Sequence, residues 1–187
     1  MKRLIFVTMI MLFSSVLLKA QEENEKHIIG STLGISFIEL LPNNKFDSKN
    51  YGANVFFRKH LKNPNLTSNA TSYFSINAEY MRYKENERIR NDYSATLGIG
   101  GITKSLKWAS LHFCTEFGVL HKNEEPFYDV NGNLNESSKG FMYTHGFRSG
   151  FIIHLPKHIN VDVNMRLMSK YKDMICPGFN IGLSYSF

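Results

Sequence analysis

Gly178-Phe179-Asn180-Ile181-Gly182-Leu183-Ser184-Tyr185-Ser186-Phe187 is the stretch on which the fold turns. Phe179, Ile181, Leu183, Tyr185 and Phe187 take every second position, and Gly178, Asn180, Gly182, Ser184 and Ser186 take the others. Successive side chains of a strand point to opposite faces, so this period predicts a β-strand with one apolar face and one small, polar face. The period recurs upstream. Ile159, Val161, Val163, Met165 and Leu167 interleave with Asn160, Asp162, Asn164 and Arg166. Phe141, Tyr143, Phe147, Phe151, Ile153 and Leu155 oppose Thr144, Gly146, Arg148, Gly150 and His154, and Leu111, Phe113, Phe117 and Val119 oppose Ser110, His112, Cys114, Glu116 and Gly118. Four earlier segments, around Tyr93–Ile99, Phe74–Tyr80, Tyr51–Phe57 and Ile29–Phe37, follow the same rule. His145 and Ser149 lapse onto the apolar parity, and Ile38 and Ile152 onto the polar one.

Eight alternating segments predict an all-β, eight-stranded antiparallel up-and-down barrel, and the next question is which face lies inside. A soluble barrel turns its large apolar side chains inward, whereas a membrane barrel turns them toward lipid around a polar lumen. Three features favour the second arrangement. The polar parity carries Gly30, Gly34, Gly52, Gly98, Gly100, Gly118, Gly146, Gly150 and Gly182, which suits a narrow interior better than a solvated surface. Its mid-strand charges balance, with Arg58, Arg148 and Arg166 against Glu79, Glu116 and Asp162, as a lumenal ion network requires. Aromatic residues gather toward strand ends on the apolar parity, at Phe37, Tyr51, Tyr80, Tyr93, Tyr143, Tyr171 and Phe179, where a girdle would meet lipid headgroups. The connections expected on the outer side are Leu41–Asn50, Lys84–Asn91, Lys122–Lys139 and Lys172–Pro177, with turns near Thr103–Lys107 and Pro156–His158 and a longer one at His60–Ala70 on the inner side.

The first twenty residues have the three parts of a secretory signal peptide: Lys2 and Arg3, an apolar run from Leu4 to Leu18, and Leu18-Lys19-Ala20 before a polar stretch. The run is short for a membrane span, so cleavage after Ala20 is expected, leaving the barrel domain at 21–187. No Cys follows the cleavage point, which argues against a lipoprotein anchor. Losing Lys2, Arg3 and Lys19 lowers the net charge from +6 to +3, which gives no case for a nucleic-acid partner. The two cysteines, Cys114 and Cys176, are too few for a disulfide scaffold.

A terminal Phe187 closing Gly182–Phe187, behind eight alternating segments and a signal peptide, resembles the small outer-membrane barrels of the OmpA/OmpX type. The resemblance implies an outer-membrane address and a role for Tyr185 and Phe187 in the signal read by the barrel-insertion machinery. The Ala20-Gln21 junction and the Phe-, Tyr- and Asn-rich strands are similar to versions found in Bacteroidota.

No catalytic set emerges. The lipid A deacylase signature His-x-Ser-Asn is not matched by His145-Gly146-Phe147-Arg148-Ser149, and no carboxylate pairs with them. The seven His are scattered, and Asp129-Val130-Asn131-Gly132-Asn133 departs from a calcium loop because its Gly comes too early and Gly140 stands at the twelfth position. Asn131-Gly132 reads better as a tight turn. No cofactor or metal is expected. The expected partners are outer-membrane lipid, the insertion machinery and a surface partner at Lys122–Lys139, since loops carry contacts on rigid scaffolds. The favoured function is a non-enzymatic outer-membrane barrel. The alternatives are a component of a secretion or conjugal-transfer assembly, a lipid-modifying enzyme, and a soluble lipocalin-like binder with Phe113, Phe147, Phe151 and Leu183 inside.

Overall fold

The computed structural model describes residues 30–40, 50–61, 70–85, 88–106, 108–128, 131–169 and 175–187; the signal peptide expected at 1–20 and Tyr171 lie outside them. The strands in chain order are β1 (Ser31–Leu40), β2 (Tyr51–His60), β3 (Ala70–Glu85), β4 (Arg88–Leu106), β5 (Ala109–Glu124), β6 (Phe127–Tyr128), β7 (Leu134–Asn135), β8 (Ser138–His154), β9 (Ile159–Ser169) and β10 (Ile175–Ser186). Among the described residues eight of them close an antiparallel barrel, while β6 and β7 form a two-stranded ribbon between β5 and β8. Each barrel strand pairs with its chain neighbours. The seam joins β1 to β10 from Thr32–Ser186 to Leu40–Gly178, and Ser31 and Phe187 exchange two backbone hydrogen bonds of 2.8 Å.

The polarity is inside-out. Ile35 is 63% exposed, Phe113 50% and Leu183 57%, and Phe147 and Phe151 join them on the outer face, which excludes the lipocalin-like alternative. The other parity is buried: Arg58, Glu79, Glu116, Arg148, Asp162 and Arg166 all face the lumen, in contact with one another rather than with water. A polar residue at every second position folds this way only if the buried groups find partners.

Glycine placement explains how eight strands close around so many large side chains. Where one strand sends a bulky group inward, the residue facing it across the ladder is repeatedly glycine: Gly34 faces Phe56, Gly52 faces Met81, Gly100 faces Tyr73, Gly146 faces Met168 and Gly178 faces Arg166. A Cβ at Gly100 would lie 2.7 Å from Tyr73 Cζ, so the ring occupies the space that a side chain there would need.

The barrel is taller on one side. β1, β2, β9 and β10 have 10, 10, 11 and 12 residues, whereas β3, β4, β5 and β8 have 16, 19, 16 and 17. Ten tilted residues span roughly the 25 Å of a membrane barrel's apolar band. The surplus lies at the end away from the termini and forms a raised wall. Two expected loops are therefore corrected. Lys84–Asn91 is mostly strand, with Arg82–Asn91, Tyr83–Arg90, Lys84–Ile89 and Glu85–Arg88 paired, and Lys122–Lys139 contracts to the segment between Glu124 and Ser138. Polar composition marks where apolar burial ends, but backbone pairing continues past that point. The last outer connection is shortened too, because β10 begins at Ile175. At the termini end, Lys157 and His158 turn the chain at φ 61° and 63°.

Candidate functional site

The lumen is stratified. Nearest the wall, Ile38, Met81 and Leu120 form a fully buried apolar layer, backed by Tyr83 and Met142. Below it lies an ion cluster. Glu79 of β3 accepts Arg166 of β9 in a two-pronged contact, Nη1 to Oε1 at 2.8 Å and Nη2 to Oε2 at 2.7 Å. It also accepts Arg148 Nη2 of β8 at 2.8 Å and the Ser94 hydroxyl at 3.2 Å. Arg148 turns its other edge to Glu116 of β5, with Nη2 donating at 3.1 Å and Nε lying 3.0 Å from the carboxylate, while Asn77 donates to Glu116 at 3.3 Å. Nearer the termini, Arg58 of β2 reaches Asp162 of β9 at 2.5 Å, and Ser184 donates to the same carboxylate at 2.7 Å.

All six charged residues singled out from the sequence thus meet in the lumen, in two groups. Each carboxylate answers at least one guanidinium, which is the condition under which buried charge is tolerated. Alternation did not disclose what surrounds them. Phe56 lies under Arg58, whose Cζ is 4.3 Å from the ring centroid, and Tyr73 bonds His112 Nδ1 at 3.1 Å. His112 Nε2 in turn contacts Asn164 Oδ1. Ile102, Cys114 and Ile152 pack with Tyr73 into a second apolar layer. The signal for Phe56 was an unbroken apolar triplet, Val55-Phe56-Phe57, in which the middle residue must point inward. The lapses at Ile38 and Ile152 are explained in the same way: each is a piece of a lumenal plug. Cys114 carries a free, buried thiol 3.6 Å from Ser75 Oγ.

The closed eight-stranded barrel recurs among solved structures. Ail, the attachment invasion locus protein of Yersinia pestis, is 16% identical with a TM-score of 0.56, covering 85% of this chain and 99% of that one. Neisserial surface protein A is 10% identical with a TM-score of 0.57, covering 84% and 96%. The outer membrane enzyme PagL is 8% identical with a TM-score of 0.52, covering 83% and 99%. The fold is that of the small outer-membrane barrels. No family model matches the chain, and no curated protein matches it. At these identities the likeness is one of fold.

On the outside of this outer-membrane barrel fold, the aromatic residues picked out from the sequence lie on the outer face toward the wall. Phe37, Tyr93 and Tyr143 are exposed, and Tyr51, Tyr80 and Phe179 partly so. Tyr80 and Tyr93 have ring centroids 5.2 Å apart, Tyr93 and His121 6.4 Å, and His121 and Phe141 4.7 Å, so His121 and Phe141 extend a row that alternation alone had left incomplete. At the opposite end Tyr185 stacks on Phe187 at 6.4 Å. His145 and Ser149 are not brought together. The exposed imidazole stacks on Tyr143 at 5.7 Å, and the Ser149 hydroxyl donates to the His112 carbonyl at 3.2 Å. Among the described residues no group of three or more His, Cys, Asp or Glu could hold a metal.

Above the aromatic row, the inner face of the wall carries Arg90, which forks onto Asp92 with two contacts of 2.7 Å, and Lys122 paired with Glu124. Among the described residues β8 has only β5 beside it from Ser138 to Thr144, because its pairing with β9 begins at His145–Ser169. Phe141 lies within this stretch and is 80% exposed. The β6–β7 ribbon pairs Phe127 with Asn135 and Tyr128 with Leu134, and Gly132 takes the positive φ of 77° that the Asn131-Gly132 turn demands.

Proposed function

We propose that the chain is a non-enzymatic outer-membrane barrel, exported by the segment at 1–20 and held in lipid by its apolar outer face. In this reading it meets partners through the raised wall and the segment from Glu124 to Ser138. One observation carries it: the large apolar side chains point away from the barrel axis while six ionisable side chains fill the middle. In water that arrangement would expose a continuous apolar band, whereas in a bilayer it is the low-energy one. The Tyr80–Tyr93–His121–Phe141 row supplies amphipathic rings at the level expected of headgroups. Tyr185 and Phe187 would serve as the insertion signal, and the Ala20-Gln21 junction with Phe/Tyr/Asn-rich strands favours a Bacteroidota-type barrel.

The wall supports a contact role because, among the described residues, β8 has a strand on one side only at Ser138–Thr144, and such a strand edge can pair with an extended segment of another protein. His145 and Ser149 engage separate partners, which favours the non-enzymatic reading. Fractionation tests the address. The folded protein should sediment with outer membranes and run at a different mobility on a gel when unboiled; recovery in the soluble fraction would overturn the proposal.

A further inference from the structure

On the outer face of β3 the side chains run Phe74, Ile76, Ala78 and Tyr80 and then, toward the raised rim, Arg82 and Lys84. Arg82 is therefore the first charge past the aromatic row on this strand. The ladder sets it between Tyr51 of β2 and Asn91 of β4 as direct cross-strand neighbours, and the Cβ atoms of such pairs lie about 5 Å apart. Tyr80 Oη donates to Asn91 Oδ1 at 2.9 Å. That bond takes the carboxamide oxygen and leaves the amide nitrogen of Asn91 as a donor beside the guanidinium.

Neither donor is answered by the protein. Among the described residues the half-buried Arg82 side chain makes no ion pair or hydrogen bond, and the Asn91 amide nitrogen has no partner. The acids in the two cross-strand rows, Glu39 past Tyr51 and Glu125 past Ile89, each stand two strands away from Arg82 and Lys84. A guanidinium stays charged in a protein. At the edge of the hydrocarbon it calls for a counter-ion, and the anions at that depth of a bilayer are headgroup phosphates, which an arginine fork matches in geometry. The low half of the barrel differs. There β1 carries Glu39 two residues rimward of the exposed Phe37, so the same row repels an anion where β3 attracts one.

We infer that Arg82 and the Asn91 amide, with Lys84 rimward of them and the Tyr80 and Tyr93 rings on the hydrocarbon side, form a site for the phosphate of a lipid headgroup on the tall side of the barrel. The inference rests on the apolar outer face lying in lipid, as proposed above.

The test places the intact protein in nanodiscs of phosphatidylcholine with a rising fraction of phosphatidic acid, whose headgroup is a phosphate monoester, or of diacylglycerol with the same chains, which has no phosphate. The side-chain amide signals of Asn91 are followed by NMR. They should move with phosphatidic acid and stay still with diacylglycerol. In Arg82→Gln the half-saturating fraction of phosphatidic acid should rise about tenfold. Lys59→Gln removes the same charge from the outer face at the termini end of β2 and should behave as the native protein does. Equal movement with diacylglycerol, a native response in Arg82→Gln, or an equal loss in Lys59→Gln overturns the site. So does movement of the same signals by inorganic phosphate in discs without phosphatidic acid, which would mark a free anion as the ligand. Where Arg82→Gln does not fold, as judged by unboiled gel mobility, Asn91→Ala replaces it, read through the Arg82 Nε–H signal, with the same loss expected. A native protein that fails to enter the discs brings down the membrane reading and the lipid site together; one that enters them without these shifts overturns the lipid site alone.

Discussion

Glu79 receives two guanidinium groups and a hydroxyl with no access to water. Replacing it with leucine takes from Arg166 the carboxylate it forks onto and leaves Arg148 with Glu116 alone, and leaving a buried charge without its partner costs about 3–5 kcal/mol. Refolding into lipid vesicles followed by urea titration should show that loss for Glu79→Leu and a comparable one for Arg148→Leu. The double variant should lose less than the sum, because the two residues share one interaction; full additivity would mean that the contact contributes nothing. Gly118 makes a contrasting case. A Cβ there would run into the Ala95 carbonyl oxygen and lie 2.7 Å from Thr96 Cα, both backbone atoms, whereas a Cβ at Gly140 meets nothing within 4 Å. Gly118→Ala should therefore destabilise by about 1–3 kcal/mol and Gly140→Ala should be neutral, as read from the same titration. These residue-scale facts were unequally legible. The six charged residues stood out because they broke an otherwise small, neutral parity. Phe56, Tyr73 and Met81 did not, because an apolar residue on the polar parity reads as an error in period until the glycine across the ladder is known.

Among the elements, the strands were legible because each has two unlike environments, and a period of two survives any uncertainty about ends. Their lengths were not. The wall strands continue beyond the apolar band, where neither face needs to be greasy and alternation fades, so Lys84–Asn91 read as loop although it is paired as far as Glu85–Arg88. The turn at Lys157-His158 shows a second limit. Both residues adopt positive φ, a region that costs a side-chain-bearing residue about 1–2 kcal/mol and that Asn and Gly enter more readily. Nothing in Pro156-Lys157-His158 announces it. Exchanging Lys157→Asn and His158→Gly together should raise stability by about 1 kcal/mol, measurable as a shift of the urea midpoint with unchanged slope. A fall would show that the His158 ring, 6.1 Å from Tyr185, matters more than the strain.

Taken as a whole, the molecule is a sealed cylinder. Apolar layers at Ile38–Met81–Leu120 and Tyr73–Ile102–Ile152 bracket the ion cluster, and the interior of an eight-stranded barrel is only wide enough for side chains to fill. Planar bilayers containing the purified protein should show no porin-sized conductance steps; regular steps would mean that the lumen is open. Closure and strand order were readable from the sequence because alternation counted eight strands, and chain-adjacent pairing then leaves one up-and-down solution. The unequal height was not, because it depends on register accumulated from strand to strand. That inequality has a consequence for the proposed contact role. Among the described residues the paired backbone of β3, β4, β5 and β8 reaches roughly five residues of strand, about 15 Å, further from the termini end than that of the other half. A partner that recognises strand backbone at this height would therefore approach the barrel off its axis, over β3, β4, β5 and β8.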